Sequence, residues 1–395
     1  MADSSPLHRK SWRNVLLLIV GVSALGLQAP TPPAREARLA AEETASLPAA
    51  EFSRLIQNLS EEDGYFRSDN FTSNETSYLH VVDLLRELHV SGGAYVGVGP
   101  EQNFTYIAKI RPRIAFIVDI RRQAMIQHLL YKAIFETADT RTEFLAGLLC
   151  RPLAGEHAPG ADAATADVLG YFEQAPSPED VYVANLARVR KTIQERFRFA
   201  LSENDSERLD NVYSAFRKEG LMISFRFGTM SWSGPGGFPT LKDLILEQDL
   251  QGRPGNFLAN DDDYRFVRDL QRRNRVIPVV GDFAGRKALG AVGDYLRKNG
   301  YTVSAFYTSN VEQFLFQNRV FGSFVDNVRR LPIDDASVFI RAVPLRGQPH
   351  PAHVPGNRTA TILQKIRVFL RDYDEGVYRD YWNLLMTHYI AAEVR

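Results

Sequence analysis

Apolar residues in this chain fall into short unbroken runs, separated by longer stretches with helical spacing. Ala94–Val98, Ile114–Val118, Val276–Val280, Thr302–Tyr307 and Ser337–Ala342 are such runs. Without apolar–polar alternation they predict strands buried on both faces. Between them the spacing predicts helices over Glu51–Leu59, Asn103–Lys109, Arg121–Glu136, Thr140–Leu149, Val181–Ala200, Asp205–Lys218, Tyr264–Arg272 and Arg286–Asn299, the last with Gly300 at its C-cap. Ser73 or Asn74 caps a further helix to His89, Leu221–Phe227 reads as a short strand, and Thr359–Leu370 and Val377–Ile390 supply late helices. Strands alternating with helices predict an α/β fold, Rossmann-like, with a mainly parallel sheet flanked by helices. The charged helices of roughly residues 138–220 read as a helical insertion inside one domain spanning residues 51–395. Within it, residues 151–180 hold Pro, Gly, Ala and Asp without period and predict an exposed segment.

The first strand–helix–strand unit carries the clearest chemistry. Its strand breaks at Gly97 and Gly99, a helix follows, and the next strand ends on Asp119, 20 residues after Gly99. Open α/β sheets build nucleotide sites this way: glycines admit the ligand to the backbone, the helix start offers free N–H groups, and the acid accepts from ribose hydroxyls. Gln102 stands where a dinucleotide fingerprint has its third glycine. That departure disfavours a pyrophosphate turn and is compatible with S-adenosylmethionine, which has no pyrophosphate. A plain structural unit with Asp119 as a helix cap is the alternative.

Other strand ends also carry polar groups, Gly281-Asp282 and the Ser309-Asn310-Glu312 cluster. Ligands of open sheets sit at the carboxyl ends of the strands, so these residues join Asp119 as candidates. The loop before the first strand is dense in Asn70, Ser73, Asn74, Glu75 and Tyr78, and folds over the ligand in chains of this kind. Gly228–Pro239, with Trp232 and Phe238, reads as a loop at the site edge. Asn260 with Asp261, Asp262 and Asp263 reads as an N-cap with acids in the first helical turn rather than a metal site. His350 and His353 lie in a Pro/Gly-rich loop without paired carboxylates, so no metal centre is expected.

Formal net charge is zero, which leaves no broad basic field for nucleic acid. The single Cys150 excludes an intrachain disulfide and any cysteine zinc cluster, and its apolar setting predicts a buried structural role. At the N-terminus His8, Arg9, Lys10 and Arg13 precede the apolar run Val15–Leu27. Basic head, short apolar core and small residues predict a signal peptide or N-terminal membrane anchor over residues 1–29, then a linker over residues 30–50. The chain is then exported, periplasmic or membrane-anchored, and cytoplasmic if the segment is no signal. No Gly-x-Ser-x-Gly, His-Glu-x-x-His or Walker sequence is present, which leaves the common hydrolase and NTPase classes unsupported.

These features together resemble the class I S-adenosylmethionine-dependent methyltransferase fold. More narrowly, GYFRSDNFTSNETSYL, YVGVGPEQNFTYIAKIRPRIAFIVDIR and FYTSNVEQFL resemble an uncharacterised bacterial family with that fold, over most of residues 50–345. The resemblance implies S-adenosyl-L-methionine as cofactor. It also implies Gly97 and Gly99 at the methionine end, Asp119 at the ribose, Asp282 at the adenine amine, and Asn74 and Tyr78 in the covering segment. Asn310 is implied near the transferred methyl, and Glu312 is a candidate base. The absence of an Asn/Asp-Pro-Pro-Tyr motif disfavours amino methylation of nucleic acid, so the expected acceptor is a small molecule or a protein. The competing expectations are a non-catalytic envelope protein on the same fold, which the N-terminal segment favours, and an NAD-type oxidoreductase, which Gln102 opposes.

Overall fold

The central sheet follows from the apolar runs. Its strands are β1 (Ala94–Gly97) and β2 (Ile114–Asp119), then, after a helical segment and a small hairpin of β3 (Arg226–Phe227) and β4 (Met230–Ser231), β5 (Val276–Val280), β6 (Val303–Ser309), β7 (Val338–Pro344) and β8 (Thr359–Lys365). The computed structural model describes residues 45–227, 230–231, 237–345 and 349–392. The sheet order is β5-β2-β1-β6-β7-β8, parallel except for β8, which runs antiparallel to β7. The fold is therefore α/β and Rossmann-like, a mostly parallel sheet flanked by helices.

Every residue of β1, β2 and β5 is buried, which is why their runs show no alternation. Pro278 lacks an N–H and sits in β5, an edge strand, where a missing donor is tolerated. The other edge is covered: Leu363 N donates to Ile390 O at 2.8 Å, and Ile390 N returns to Leu363 O at 2.7 Å. Strand order reverses between β1 and β6, so their carboxyl ends form the crevice where such sheets bind ligands.

Several elements differ from the sequence reading. The helix expected from Ser73 to His89 is confined to Val82–Glu87. Upstream, Ser77 Oγ is drawn to the hydroxyls of Thr359 and Thr361, at 3.1 and 3.0 Å. Thr359–Lys365 is a strand, not part of a helix: Thr359, Thr361 and Ile362 are β-branched and pair along β7, and the helix begins only at Ile366. The helix read over Val377–Ile390 shortens to Tyr381–Met386, and the strand read over Leu221–Phe227 shortens to β3. Residues 151–180 are not wholly exposed. Thr165–Gln174 is a helix that buries Val168, Leu169 and Phe172.

Buried Arg141 ties this region to the domain through Thr165 Oγ1 at 2.9 Å, Leu258 O at 3.0 Å and Asp261 at 3.0 Å. The expected linker ends earlier than residue 50, since Leu47 N donates to Arg273 O and a helix begins at Ala49. The expected signal segment, residues 1–29, lies outside the described residues, as does Trp232. Among the described residues no helix is long and apolar enough to cross a membrane.

Lys132 sits inside this scaffold, 1% exposed, with its ammonium over the rings of Phe52 and Phe197 and donating to Gln271 O. Burial holds it down to about 7, while the unfolded chain titrates near about 10.4. Between those values the unfolded chain binds the extra proton, so stability contributed here rises with pH across that window. Lys132→Met is expected to flatten the dependence of denaturant midpoint on pH between about 7 and about 10. An unchanged slope would show that Lys132 is not the group responsible.

Candidate functional site

A cavity of about 200 Å³ opens over the carboxyl ends of β1, β2, β5 and β6. On a measure where one water needs about 10–15 Å³, it has room for a metabolite. Val98–Pro100, Val118–Arg121, Gly281–Phe283, Tyr307 and Ser309–Val311 all reach it from the strand tips, under a cover formed by residues of the 65–75 loop.

The turn after β1 is fixed by Asn103. Its amide nitrogen donates to the carbonyls of Val98, Gly99 and Pro100 at 2.9, 3.1 and 2.8 Å. Its oxygen accepts from the Tyr95 hydroxyl at 2.9 Å. Gly99 lines the cavity at φ +80°, with nothing within 4 Å of a built Cβ, so a side chain there would be strained and would project into open space. Gly97 is a different case. A Cβ on it would lie 2.0 Å from Asn103 Oδ1, so Gly97 makes room for that side chain and does not line the cavity. The expectation that Gly97 approaches a ligand is corrected accordingly. Beneath the turn, buried His128 is held down to about 4 by desolvation. It is therefore neutral at physiological pH, and its Nε2–H donates to Gly99 O at 2.9 Å.

Asp119 closes β2 and lines the cavity, but its carboxylate is already engaged. Oδ1 accepts from the Arg121 backbone N–H at 2.9 Å and from Nε at 3.0 Å, and Oδ2 accepts from Nη2 at 2.9 Å. That leaves one acceptor direction, on Oδ2. Arg121 also donates from Nη1 to Ser68 O at 2.6 Å, which seats the covering loop on the β2 tip. Asp282, at the β5 tip, also lines the cavity, and its Oδ1 accepts from Ala284 N at 2.9 Å. The helix start after β5 is occupied by Glu61, whose carboxylate accepts from the N–H groups of Asp282, Lys287 and Ala288.

Gln102, the residue in place of the third glycine, is a hub. Its amide nitrogen donates to Glu75 Oε2 at 3.0 Å and to the Tyr307 hydroxyl at 3.1 Å, and its oxygen accepts from Ser73 Oγ. Ser309 Oγ closes the network on Glu75 Oε1 at 2.5 Å. Covering loop, helix start and β6 tip are thereby joined. Desolvation raises the Glu75 carboxyl above its usual range. Glu101, beside Gln102, is buried and raised to about 7 for the same reason. Its Oε1 accepts from Ser73 N at 3.1 Å, and Oε2 has no hydrogen-bond partner among the described residues.

Of the remaining sequence candidates, Asn74 and Asn310 line the cavity. Two others do not and are corrected. Tyr78 is buried elsewhere, its hydroxyl donating to Leu244 O at 2.6 Å and accepting from Asn256. Glu312 is fully buried in an ion pair with Arg341 at 2.8 Å and is not a base for any ligand in this cavity. Sequence reasoning gave no role to Gln102, Arg121 or Glu61. The mismatch of Gln102 with the glycine pattern was the one available signal.

Completing that pattern by Gln102→Gly is expected to destabilise the protein by about 1–3 kcal/mol, because Glu75 and Ser73 lose a buried partner. Thermal unfolding at the wild-type midpoint would show that the network contributes nothing.

No curated protein matches the chain. A family model, a domain of unknown function (DUF7790), matches residues 70–375, which include Asn70, the glycine turn and every strand tip around the cavity. The chain belongs to the DUF7790 family.

Proposed function

We propose that this cavity binds S-adenosyl-L-methionine and that the chain is a methyltransferase-like enzyme acting on a small-molecule or protein acceptor. The observation that carries the reading is what occupies the start of the helix after β1. A dinucleotide needs free N–H groups there for its pyrophosphate. Here Glu101 stands at the N-cap with its carboxyl turned to Ser73 N, and the acid that faces the cavity beside it is Glu75, held through Gln102, so a phosphate there would meet a carboxyl. A sulfonium-bearing adenosine brings no phosphate. The sheet also departs from the dinucleotide fold: that fold has a sixth parallel strand, whereas β8 runs antiparallel to β7.

The residues present fit such a ligand in part by resemblance and in part by geometry. Asp119 Oδ2 has one acceptor direction for a ribose hydroxyl, Gly99 admits the ligand to the backbone, and Asp282 stands at the tip of the neighbouring strand β5 for the adenine end. Asn74 reaches in from the cover and Asn310 from the β6 tip, nearest the acceptor on this reading. The methyl donor supplies an already reactive centre, so the share of the protein is to hold donor and acceptor close and in line.

Calorimetric titration of S-adenosylmethionine and of S-adenosylhomocysteine is expected to give one site per chain. Asp119→Asn weakens binding about tenfold or more, ~1.4 kcal/mol. Gly99→Val, which strains a left-handed backbone and fills the opening, removes binding. No heat with either compound, or binding indifferent to both substitutions, rules the reading out.

A second reading, a non-catalytic ligand-binding or assembly protein of the cell envelope, is favoured by the basic head and apolar run Val15–Leu27, since S-adenosylmethionine is made and used in the cytoplasm. The mass of the mature chain in fractionated cells separates the two. An exported chain shortened by roughly 30 residues favours the envelope protein, and a full-length chain in the cytoplasm removes it.

A further inference from the structure

We propose that Glu75 is the counter-ion for a positively charged centre of the ligand, so that the cavity takes a small cation and discriminates against its uncharged counterpart. The inference deepens the methyl-donor reading, and rests on it for which cation enters.

Glu75 is 2% exposed yet lines the cavity. Its carboxylate receives hydrogen bonds from neutral groups, Gln102 Nε2 at 3.0 Å and Ser309 Oγ at 2.5 Å, with the Tyr307 hydroxyl a further neutral neighbour. The titratable groups facing it are also neutral at physiological pH. They are Tyr95 on β1, Tyr106 on the following helix and Tyr307 on β6, all phenols that burial and the nearby carboxylate keep protonated. Among the described residues Arg121 is the cation in the cavity wall, and its guanidinium is engaged by Asp119 and Ser68 O. A carboxylate withdrawn from water without a cation is costly, and neutral donors offset that cost only in part. Burial accordingly raises this carboxyl. The deficit sits between the tips of β1 and β6, the crevice where strand order reverses. With a ribose at the β2 tip and a base toward β5, the remaining end of the ligand comes to Glu75. A sulfonium or an ammonium there completes the site.

A cation that needs the ionised carboxylate displaces its proton, so affinity rises with pH through the range in which free Glu75 titrates. The test is calorimetry on the full chain with S-adenosylmethionine, S-adenosylhomocysteine, 5′-methylthioadenosine and S-methylmethionine over a pH series rising from about 4.3, the ordinary glutamate value. S-adenosylmethionine is expected to exceed methylthioadenosine about tenfold or more once Glu75 is ionised, with proton release and a margin that grows with pH. S-adenosylhomocysteine matching methylthioadenosine identifies the sulfonium as the recognised centre; matching S-adenosylmethionine identifies the ammonium. Glu75→Gln is expected to erase the margin while methylthioadenosine still binds, which also shows that the variant is folded, and Glu75→Asp to retain part of it.

Equal affinity for charged and uncharged ligands, or a margin that survives Glu75→Gln, overturns the proposal. If no adenosine compound binds, the nucleoside reading fails by itself. S-methylmethionine then decides this inference: binding lost in Glu75→Gln upholds it, and no binding overturns it.

Discussion

The amide of Gln102 is the interaction on which the site depends. It reaches from the helix after β1 to the cover at Ser73 and Glu75 and to β6 at Tyr307. Without it the 65–75 loop would keep Arg121 on Ser68 O, Ser309 on Glu75 and Glu101 on Ser73 N, but lose the amide that joins Ser73, Glu75 and Tyr307. Buried polar networks of this kind are strong because the local dielectric is low, and fragile because a lost member leaves its partners unsatisfied. A glycine at position 102 would allow a closer turn for a pyrophosphate but leaves Glu75 with the Ser309 hydroxyl and without its amide donor. The sequence pattern therefore chooses between two uses of the same turn.

Two buried carboxylates near β6 show how environment separates scaffold from site. Glu312 and Arg341 are both fully buried, 2.8 Å apart. The guanidinium lies over Phe339 and Phe369 and donates to Gln364 at 2.8 Å. The charge of Glu312 is answered inside the protein, which pins the helix after β6 to β7. Removing one partner of such a pair leaves an uncompensated buried charge, so its value is in holding the arrangement. Glu75 has hydrogen-bond donors on both oxygens but, among the described residues, no cation, and it faces a cavity. Glu312 has its counter-ion inside the fold, with Oε2 left without a hydrogen-bond partner among those residues.

The sheet was legible because fully buried strands leave unbroken apolar runs: Val276–Val280 is a strand as read, and Ile114–Val118 extends by one residue to Asp119. Thr359–Lys365 failed because a strand buried at every residue but its last and running straight into a helix offers no period change to detect. Ser73–His89 failed because serines that bind across the molecule compete with helical hydrogen bonds. At the site, Asp119, Asp282, Asn74, Asn310 and Gly99 were named from strand ends and a polar loop, and the structure gathers them around one cavity. Glu312 was named by the same rule and misjudged. Its partner Arg341 is 29 residues away and meets it only through the pairing of β6 and β7. Gln102 was read for the glycine it replaces, since a hub is defined by partners that a linear pattern does not contain.

Two of the nine described non-glycine residues at positive φ lie in the same corner of the molecule. Ser309 holds φ +54° where the β6–β7 register shifts between Tyr307 and Ser309, and Asn70 holds φ +43° in the cover. Both line the cavity. Asparagine tolerates the left-handed region through local hydrogen bonding, but for serine the conformation costs roughly 1–2 kcal/mol. A glycine at position 309 would relieve that cost and serve the turn equally well. What glycine lacks is the hydroxyl, and that hydroxyl is what reaches Glu75. Strained residues persist where the surrounding structure holds them, and they cluster at ligand sites. The strain at Ser309 is thus accounted for by the carboxylate it serves rather than by the strand it ends.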